Sequence, residues 1–269
     1  MSELLSESLE HELSGHWAVM FSQCVLDNPC TTRYSVCMQN KCCRRYRFEG
    51  IDNFRDLGGY ECDGGVTNYG VFYRSTELSH ATNADIKKIA DLGIAAIVDL
   101  RHPEEVRVRP DNYPKSCVYK NINVQGSITP AHLNVHQHVE NTCTLWHMYK
   151  QLLTFSGAQF RTAIEFLATV QGPALFHCFQ GKDRTGLVAL FLCAIVGVDE
   201  KDCIADYEVS HTYVKGRTTD VTGSCFKNME NLLAFLHKTY GGVKEYLFSI
   251  GVAEKTCQQI RDKFIRAKC

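Results

Sequence analysis

The decapeptide HCFQGKDRTG, residues 177–186, lies between a short apolar run, ALFH, and a longer one that extends from Leu187 to Val198. A short apolar run is typical of a buried strand, and an apolar run of twelve residues is typical of a buried helix. The decapeptide therefore predicts a loop that joins a strand to the start of a helix. Backbone N–H groups in such a loop, together with the partial positive charge of the helix N-terminus, form a binding site for a phosphate-sized anion.

Two side chains add a nucleophile and a cation to this predicted anion site. Cys178 stands at the start of the loop, and Arg184 follows six residues later. A guanidinium at the start of the helix can bind two phosphate oxygens at once. The same charge and the inward amides lower a cysteine pKa from about 8.5 to between roughly 3.5 and 7.5. The loop therefore predicts a thiolate nucleophile at neutral pH.

The flanking sequence predicts an α/β fold. Apolar residues recur at helical spacing in several segments, and short apolar runs separate those segments. Alternating helices and strands indicate a central, mostly parallel sheet flanked by helices. The predicted elements are a helix at Asn83–Leu92, strands in IAAIVDL and CVYKNINV, helices near Trp146–Leu153 and Ala158–Val170, a strand in PALFHC, and helices from residue 200 to the end.

Composition restricts the class of protein. The chain has 269 residues, of which 45% are hydrophobic and 22% are charged, as in an ordinary globular enzyme. A net charge of −1 gives no reason to expect binding to nucleic acid. The apolar run of twelve residues is shorter than the roughly 20 that span a bilayer, so no integral membrane segment is expected. The acidic N-terminus, MSELLSESLEHEL, lacks the features of a signal peptide, and we expect cytoplasmic residence.

The chain changes character near residue 47. A cysteine-dense, strand-like stretch from His16 to Arg47 gives way to FEGIDNFRDLGGY. We therefore expect an N-terminal appendage at 1–47 and a catalytic domain at 48–269. The 14 cysteines are expected to be mostly free thiols, because a chain of this length can fold without disulfides.

A structural metal is a weaker alternative. The residues that raise it are His132, His136, His138, Cys24, Cys30, Cys37, Cys42 and Cys43. No C-x-x-C pair with a distant partner pair occurs among these cysteines, and that pairing is the usual sign of a zinc site. We therefore expect neither a metal nor another cofactor.

The loop resembles the signature of the cysteine-dependent phosphatases, in which a cysteine is followed by five residues and an arginine. The variant GKDRTG further resembles the atypical bacterial tyrosine phosphatases of the mycobacterial phosphatase B type. That resemblance implies the cysteine-dependent phosphatase fold and hydrolysis of phosphotyrosine, in some members also of phosphoserine, phosphothreonine or phosphoinositides, through a cysteinyl-phosphate intermediate. It extends over about residues 48–268 through NFRDLGGY (53–60), FYRSTELS (72–79), LGIAAIVDLRHPEE (92–105), IADYEVS (204–210) and GGVKEYLFSIGV (241–252).

The resemblance implies a role for most residues of the loop. Cys178 matches the nucleophile, Arg184 the phosphate clamp and Asp183 the general acid. Lys182 matches a lysine beside the anion site, and Thr185 a hydroxyl that hydrogen-bonds the sulfur. The remaining residues expected to line the substrate are Phe179, Gln180, Gly181 and Gly186; Gln180 replaces an alanine common in the family.

Other acidic residues offer alternative roles. Asp99 and Arg101 follow the strand IAAIVDL at the sheet edge where Cys178 is expected, so both are candidates for substrate binding. The alternative is a structural salt bridge with Arg74 or Glu105. Asp183 could be only a favourable charge at a helix start, in which case Asp99 or Asp111 could supply the proton.

Two further classes of protein use a similar loop. A sulfurtransferase or thiol oxidoreductase also places a cysteine among backbone amides, but it gives no role to Arg184 or Asp183. A non-catalytic phosphate-binding module is expected to lack the nucleophile or the clamp, and this chain has both.

The stretch NFRDLGGY is expected to be architectural, since its Gly58-Gly59 pair marks a turn.

Overall fold

A computed structural model of the chain describes residues 44–126, 145–214 and 224–267. The strands are β1 (Arg55–Asp56), β2 (Glu61–Cys62), β3 (Gly65–Thr67), β4 (Phe72–Ser75), β5 (Ala96–Asp99), β6 (Val118–Asn121), β7 (Ala174–His177) and β8 (Ile265–Ala267). The helices are α1 (Asn83–Asp91), α2 (Pro103–Val108), α3 (Leu145–Phe155), α4 (Gly157–Thr169), α5 (Asp183–Val196), α6 (Glu200–Glu208), α7 (Ser210–Tyr213), α8 (Phe226–Tyr240), α9 (Val243–Ser249) and α10 (Glu254–Phe264).

The central sheet has five strands in the order β1-β4-β7-β5-β6. β4, β7, β5 and β6 are parallel, and β1 pairs antiparallel at one edge. The predicted α/β architecture with a mostly parallel sheet is therefore confirmed. Asp99 and His177 are register partners, so β5 and β7 end side by side. This register places the start of the loop at the carboxyl edge of the sheet, where ligands bind in open α/β sheets.

Helices cover both faces of this sheet because successive strand residues point to opposite sides. Ile97 and Leu175 belong to the core on the α1 side, whereas Val98 and Phe176 belong to the core that includes α5. Residues 185–193 of α5 are all buried. A helix that is apolar all round belongs in the interior, and α5 packs against α3, α4, α6, α9 and α10.

The C-terminal end differs from the sequence prediction. The sequence predicts helices throughout the residues after 200, but α10 ends at Phe264 and the chain continues as β8. β8 pairs antiparallel with β3, which also pairs with β2. Phe264 packs edge-on against Phe72 with ring centroids 5.0 Å apart, so the aromatic anchor and the strand partner override the helical pattern.

The residues before position 48 begin to be described at Arg44. The Tyr46 N–H donates to the Phe54 carbonyl and the Asp56 N–H to the Arg44 carbonyl, so this segment lies along the edge of the sheet. Most of the appendage at 1–47 and all of its cysteines lie outside the described residues, as do His132, His136 and His138. The domain boundary at residue 47 stays a prediction.

The cysteines of the described ranges are free thiols: Cys62, Cys117, Cys178, Cys193, Cys203, Cys225 and Cys257. In the same ranges no helix is long and apolar enough to cross a membrane. Cytoplasmic residence stays a prediction.

Candidate active site

The loop between β7 and α5 is held from behind by Asn53. This residue has a positive φ of 59°, a conformation that asparagine tolerates better than most residues. Its side-chain amide donates to the carbonyls of Gln180 at 3.2 Å and Gly181 at 3.1 Å. Gly181 itself has φ 67°, and a Cβ there would lie 2.1 Å from the Ser75 carbonyl oxygen. The chain can therefore make this turn only with glycine.

Two buried arginines complete the support. Arg74 donates from Nη2 to the carbonyls of Gly181 at 2.8 Å and Lys182 at 3.4 Å. Its Nη1 pairs with Asp206 at 2.5 Å, and the other oxygen of Asp206 pairs with Arg55 at 2.8 Å. Burial opposes the charge of Asp206, but the two arginines outweigh it and hold the pKa of this carboxyl below its usual range.

The loop amides are left free by this arrangement. The Phe179 carbonyl accepts from the Glu77 N–H at 3.1 Å, so the carbonyls of residues 179–182 are all used behind the loop. Among the described residues, the N–H groups of 179–182 have no hydrogen-bond acceptor. A loop whose carbonyls are bound on one side presents its N–H groups to an anion on the other.

Cys178 lies at the floor of this loop and is 1% exposed. Burial and the Asp183 charge oppose ionisation, but the charge of Arg184 and the neighbouring Thr185 hydroxyl and backbone N–H outweigh them, so the pKa of Cys178 is lowered. The Thr185 hydroxyl is buried without a hydrogen-bond partner of ordinary geometry among the described residues, so it is available to donate to the sulfur. The geometry therefore brings the expected nucleophile together with its expected cation and hydroxyl donor.

Arg184, the second residue of α5, is oriented by two partners. Its Nη1 and Nη2 donate end-on to the two carboxylate oxygens of Glu105, at 2.5 and 2.9 Å, and Nη1 also donates to Gln125 at 2.5 Å. The side edge, formed by Nε and the second hydrogen of Nη2, has no partner among the described residues. That edge has the planar geometry that binds two oxygens of one phosphate.

Glu105 is a partner of Arg184 that the sequence does not reveal. It is the third residue of α2, and it also accepts from the His102 N–H in a capping box. Burial raises the pKa of Glu105, but the hydrogen bonds and the charge of Arg184 lower it by more, so the pKa of this carboxyl lies below its ordinary value. The capping pattern H-P-E-E is the available signal for the helix, but it gives no sign of the distant arginine.

Asp183 begins α5 beside Arg184 and is partly exposed. Its Oδ1 accepts from the Tyr149 hydroxyl at 2.5 Å. The Lys182 ammonium donates to both carboxylate oxygens, at 2.8 and 3.0 Å. The expected general acid therefore lies next to the expected clamp, and the lysine expected at the rim is 6% exposed and bound to Asp183.

Comparison with known proteins identifies the family. The model of the tyrosine phosphatase family matches residues 46–266. The chain belongs to the tyrosine phosphatase family. It is therefore an enzyme of the tyrosine and dual-specificity phosphatase class, and the predicted resemblance is confirmed.

Two sequence relatives agree with the family match, and one solved structure shows a weak similarity. A tyrosine-protein phosphatase of Nostoc commune is 29% identical over 217 residues, covering 71% of this chain and 73% of that protein. The triple specificity protein phosphatase PtpB of Mycobacterium tuberculosis is 25% identical over 268 residues, covering 79% of this chain and 96% of that protein. The crystal structure of TpbA from P. aeruginosa matches with a TM-score of 0.39 and 13% identity, covering 72% of this chain and 95% of that one.

The substrate-binding role expected of Asp99 and Arg101 stays a prediction, and the structure shows both residues in a buried ion-pair network. Both side chains are 0% exposed, and Arg101 Nη2 lies 2.7 Å from Asp99 and 2.8 Å from Asp111. The predicted alternative, a structural salt bridge, is present, but its partner is Asp111 in place of Arg74 or Glu105. The guanidinium instead bridges two carboxylates beside the loop, where it stabilises the sheet edge.

His177 completes this buried network. Its Nε2 lies 3.2 Å from an Asp111 oxygen, and its Nδ1 lies 3.9 Å from Asp99 and 3.2 Å from the Cys178 carbonyl. Burial disfavours the charged ring, but the two carboxylates outweigh it and raise the pKa of His177 to about 9. Asp99 is buried too, yet His177 and Arg101 hold its pKa below the usual range. A fully buried carboxylate with a lowered pKa is a poor proton donor, and this argues against Asp99 as the source of the proton.

Asp111, Asp99 and His177 could in principle hold a cation, since one potential ligand atom of each lies within 4.8 Å of the others. Arg101 already occupies the position between the two carboxylates. Asp111 also accepts from the Leu78 N–H at 2.7 Å and is fully buried, so its geometry is that of a structural acceptor.

Three further loop residues are expected from the sequence to line the substrate. Phe179 and Gln180 are half-buried at the outer side of the loop, and the Arg109 guanidinium lies 4.9 Å from the centre of the Phe179 ring. The expectation for Gly186 stays a prediction, and the structure gives this residue a packing role. It lies within α5, and a Cβ there would come within 3.2 Å of the Tyr207 ring, so this glycine allows α5 and α6 to pack closely.

Proposed function

We propose that this phosphatase hydrolyses phosphomonoesters through a cysteinyl-phosphate intermediate, with phosphotyrosine in proteins as its main substrate. The observation that supports this most is the lowered pKa of Cys178 at the floor of a loop whose amides have no other acceptor among the described residues. A thiolate is the nucleophilic form of cysteine, so the loop supplies both the attacking atom and the donors for the group attacked.

The first step transfers the phosphoryl group to sulfur. The Cys178 thiolate attacks phosphorus in line, and the bond from phosphorus to the leaving oxygen breaks. The loop amides and the free edge of Arg184 stabilise the charge on the three equatorial oxygens. Asp183 gives its proton to the leaving oxygen, which departs as a neutral alcohol or phenol.

The second step hydrolyses the intermediate. Asp183, now a carboxylate, takes a proton from water while the water oxygen attacks phosphorus. The bond from phosphorus to sulfur breaks, inorganic phosphate leaves, and the Thr185 hydroxyl stabilises the returning thiolate. These two reaction steps use Arg184, Asp183 and Thr185, for which a sulfurtransferase would have no use.

The proposed substrates extend beyond phosphotyrosine. The relative PtpB is named a triple specificity phosphatase, and we extend the proposed range to phosphoserine, phosphothreonine and phosphoinositides. The side chain of Gln180, half-buried at the rim, is where this chain departs from the alanine common in the family. A panel of phosphopeptides and phosphoinositides, with released phosphate as the readout, orders these substrates.

Replacing the nucleophile tests the mechanism. Cys178→Ser should abolish turnover, because a serine hydroxyl at its ordinary pKa is almost wholly protonated. Binding of tungstate, a phosphate analogue, should remain within about tenfold, because the amides and Arg184 are unchanged. Mass spectrometry of acid-quenched wild-type enzyme should show one added phosphoryl group on Cys178. Activity of Cys178→Ser within about tenfold of the parent would overturn the assignment.

A further inference from the structure

We propose that Tyr149 is a positioning residue for proton transfer by Asp183. This inference rests on the proposed function, in which Asp183 is the general acid. Tyr149 lies on α3, outside every stretch that the sequence analysis singled out for chemistry. Its hydroxyl donates to Asp183 Oδ1 at 2.5 Å, a short hydrogen bond between residues 34 positions apart.

The phenol of Tyr149 is a fixed donor. The residue is 0% exposed, and its ring packs edge-on against Tyr207 with centroids 6.1 Å apart. Burial and the nearby Asp183 charge raise the pKa of Tyr149 well above its ordinary value, so the hydroxyl keeps its proton. A donor that neither ionises nor moves defines where the carboxyl oxygen must lie.

Tyr207 fixes the direction of the hydrogen bond. The hydroxyl oxygens of Tyr149 and Tyr207 are 2.6 Å apart. Since a phenol has one proton and Tyr149 gives it to Asp183, Tyr207 must be the donor in this second bond. Tyr207 is 1% exposed, so both links of this chain of donors lie inside the protein and both point toward Asp183.

Orientation of Asp183 matters because proton transfer needs the carboxyl group within hydrogen-bond reach of the leaving oxygen. An aspartate side chain has two rotatable bonds, and Lys182 alone could follow it through several orientations because its own side chain is flexible. Tyr149 and Lys182 both donate to Oδ1, whereas Oδ2 has only the longer contact of 3.0 Å from the flexible Lys182 among the described residues. Oδ2 is therefore the oxygen that carries and delivers the proton. The phenol therefore acts on the reaction through Asp183 and does not itself need to touch substrate.

The test measures Tyr149→Phe on two substrates with different leaving groups. On phosphotyrosine, whose leaving oxygen needs a proton, kcat should fall about tenfold, the scale of one hydrogen bond to a charged group, with KM unchanged. On an aryl phosphate with a low-pKa phenol, kcat should change less than about twofold, because that leaving group departs without an acid. In an Asp183→Asn background, the same Tyr149→Phe change should have no further effect on either substrate.

Tyr246→Phe is the matched control. Tyr246 is also 0% exposed, and its hydroxyl donates to the Leu153 carbonyl at 2.8 Å, away from the loop. This variant should lower the unfolding temperature without changing the ratio of the two kcat values. Tyr207→Phe is the second variant, which keeps the hydrogen bond from Tyr149 to Asp183. It should show a smaller loss of kcat with the same dependence on the leaving group.

The outcomes separate this inference from the proposed function. Suppose that kcat of Asp183→Asn depends on the leaving group, whereas Tyr149→Phe lowers kcat equally for both substrates. Tyr149 is then only structural and the inference is wrong. Additive losses in the double variant would also contradict the inference. If Asp183→Asn itself shows no dependence on the leaving group, the general-acid assignment fails, and the role of Tyr149 fails with it. If Tyr149→Phe and Tyr207→Phe both lower the unfolding temperature and their kcat values do not depend on the leaving group, the inference is also wrong.

Discussion

At the scale of single residues, Arg184 is held in one orientation before any substrate binds. Glu105 and Gln125 occupy the end of the guanidinium, and its side edge has no partner among the described residues, which suits the proposed role of phosphate clamp. Preformed donors of this kind stabilise a transition state without the cost of reorganisation. The negative partner also keeps the arginine charge compensated when the anion site is empty.

This geometry predicts that Arg184→Lys loses most of its phosphatase activity although it keeps the positive charge. An ammonium cannot bond Glu105 end-on and phosphate side-on at the same time. We expect kcat/KM to fall by roughly 10² to 10³, as when one donor to a developing charge is lost. Steady-state kinetics on phosphotyrosine checks this, with the exposed Arg107→Lys on α2 as the control. A near-normal rate for Arg184→Lys would show that the clamp lies elsewhere.

At the scale of elements, the catalytic loop is shaped by segments far from it in sequence. Asn53, which precedes β1, and Arg74, on β4, together hold the carbonyls of residues 180–182. Their arrangement explains why NFRDLGGY and FYRSTELS accompany the loop. The sequence alone indicates an architectural role for the first stretch, and the structure shows that its first residue, Asn53, holds the loop that follows Cys178.

Asn53→Gly tests this support without altering the backbone conformation, because glycine accepts a positive φ at no steric cost. Both hydrogen bonds to the loop are lost, together with the bond that the Asn53 Oδ1 accepts from Arg55. We expect kcat/KM to fall about 10-fold to 100-fold, in line with one or two hydrogen bonds. Tungstate binding, measured by calorimetry, should weaken in parallel. The control is Asn68→Ala, which removes a side-chain donor to the Lys263 carbonyl at 3.0 Å, remote from the loop. Equal losses in the two variants would show a general effect on stability.

The same elements show what could be predicted from the sequence. The strand, loop and helix around Cys178 were predictable because their signals are local: an apolar run, a glycine and a long apolar helix. Asn53 lies 128 positions from Gly181, and Tyr149 lies 34 positions from Asp183, so no local pattern connects them. Asp99 and Arg101 were placed at the correct edge of the sheet, but burial and the pairing partner Asp111 are tertiary properties. The final strand was missed because its partner, β3, is about 200 positions earlier.

At the scale of the whole molecule, two buried charge networks flank the loop. Asp206 with Arg55 and Arg74 lies behind it, and Asp99 and Asp111 with Arg101 and His177 lie beside it. Removing one partner of such a network leaves an uncompensated buried charge, which is strongly destabilising. The second network contains His177, whose raised pKa of about 9 makes the charge balance of the folded network depend on pH in the alkaline range.

His177 therefore predicts a stability that depends on pH. Its pKa is raised to about 9 in the folded protein, against about 6.5 in an unfolded chain. The charged ring binds its carboxylates only when folded, so this contribution is fully present below about pH 6.5 and is lost as the pH rises through 9. A shift of this size corresponds to a contribution on the order of 3 kcal/mol. We expect the difference in unfolding free energy between wild type and His177→Gln to be largest at about pH 6 and to shrink toward about pH 9.5.

Comparison with a variant is needed because other groups titrate with the opposite sign. Burial lowers the pKa of Lys263 to about 8, so its contribution to stability rises as the pH approaches the ordinary lysine value. This contribution is common to wild type and His177→Gln and cancels in their difference. Burial raises the pKa of Tyr246, so its phenol stays protonated in the folded wild type. The difference in unfolding free energy between wild type and Tyr246→Phe should therefore not vary with pH. Urea unfolding from about pH 6 to about pH 9.5 measures all three proteins, and a constant difference for His177→Gln would show that folding does not raise the pKa of this ring.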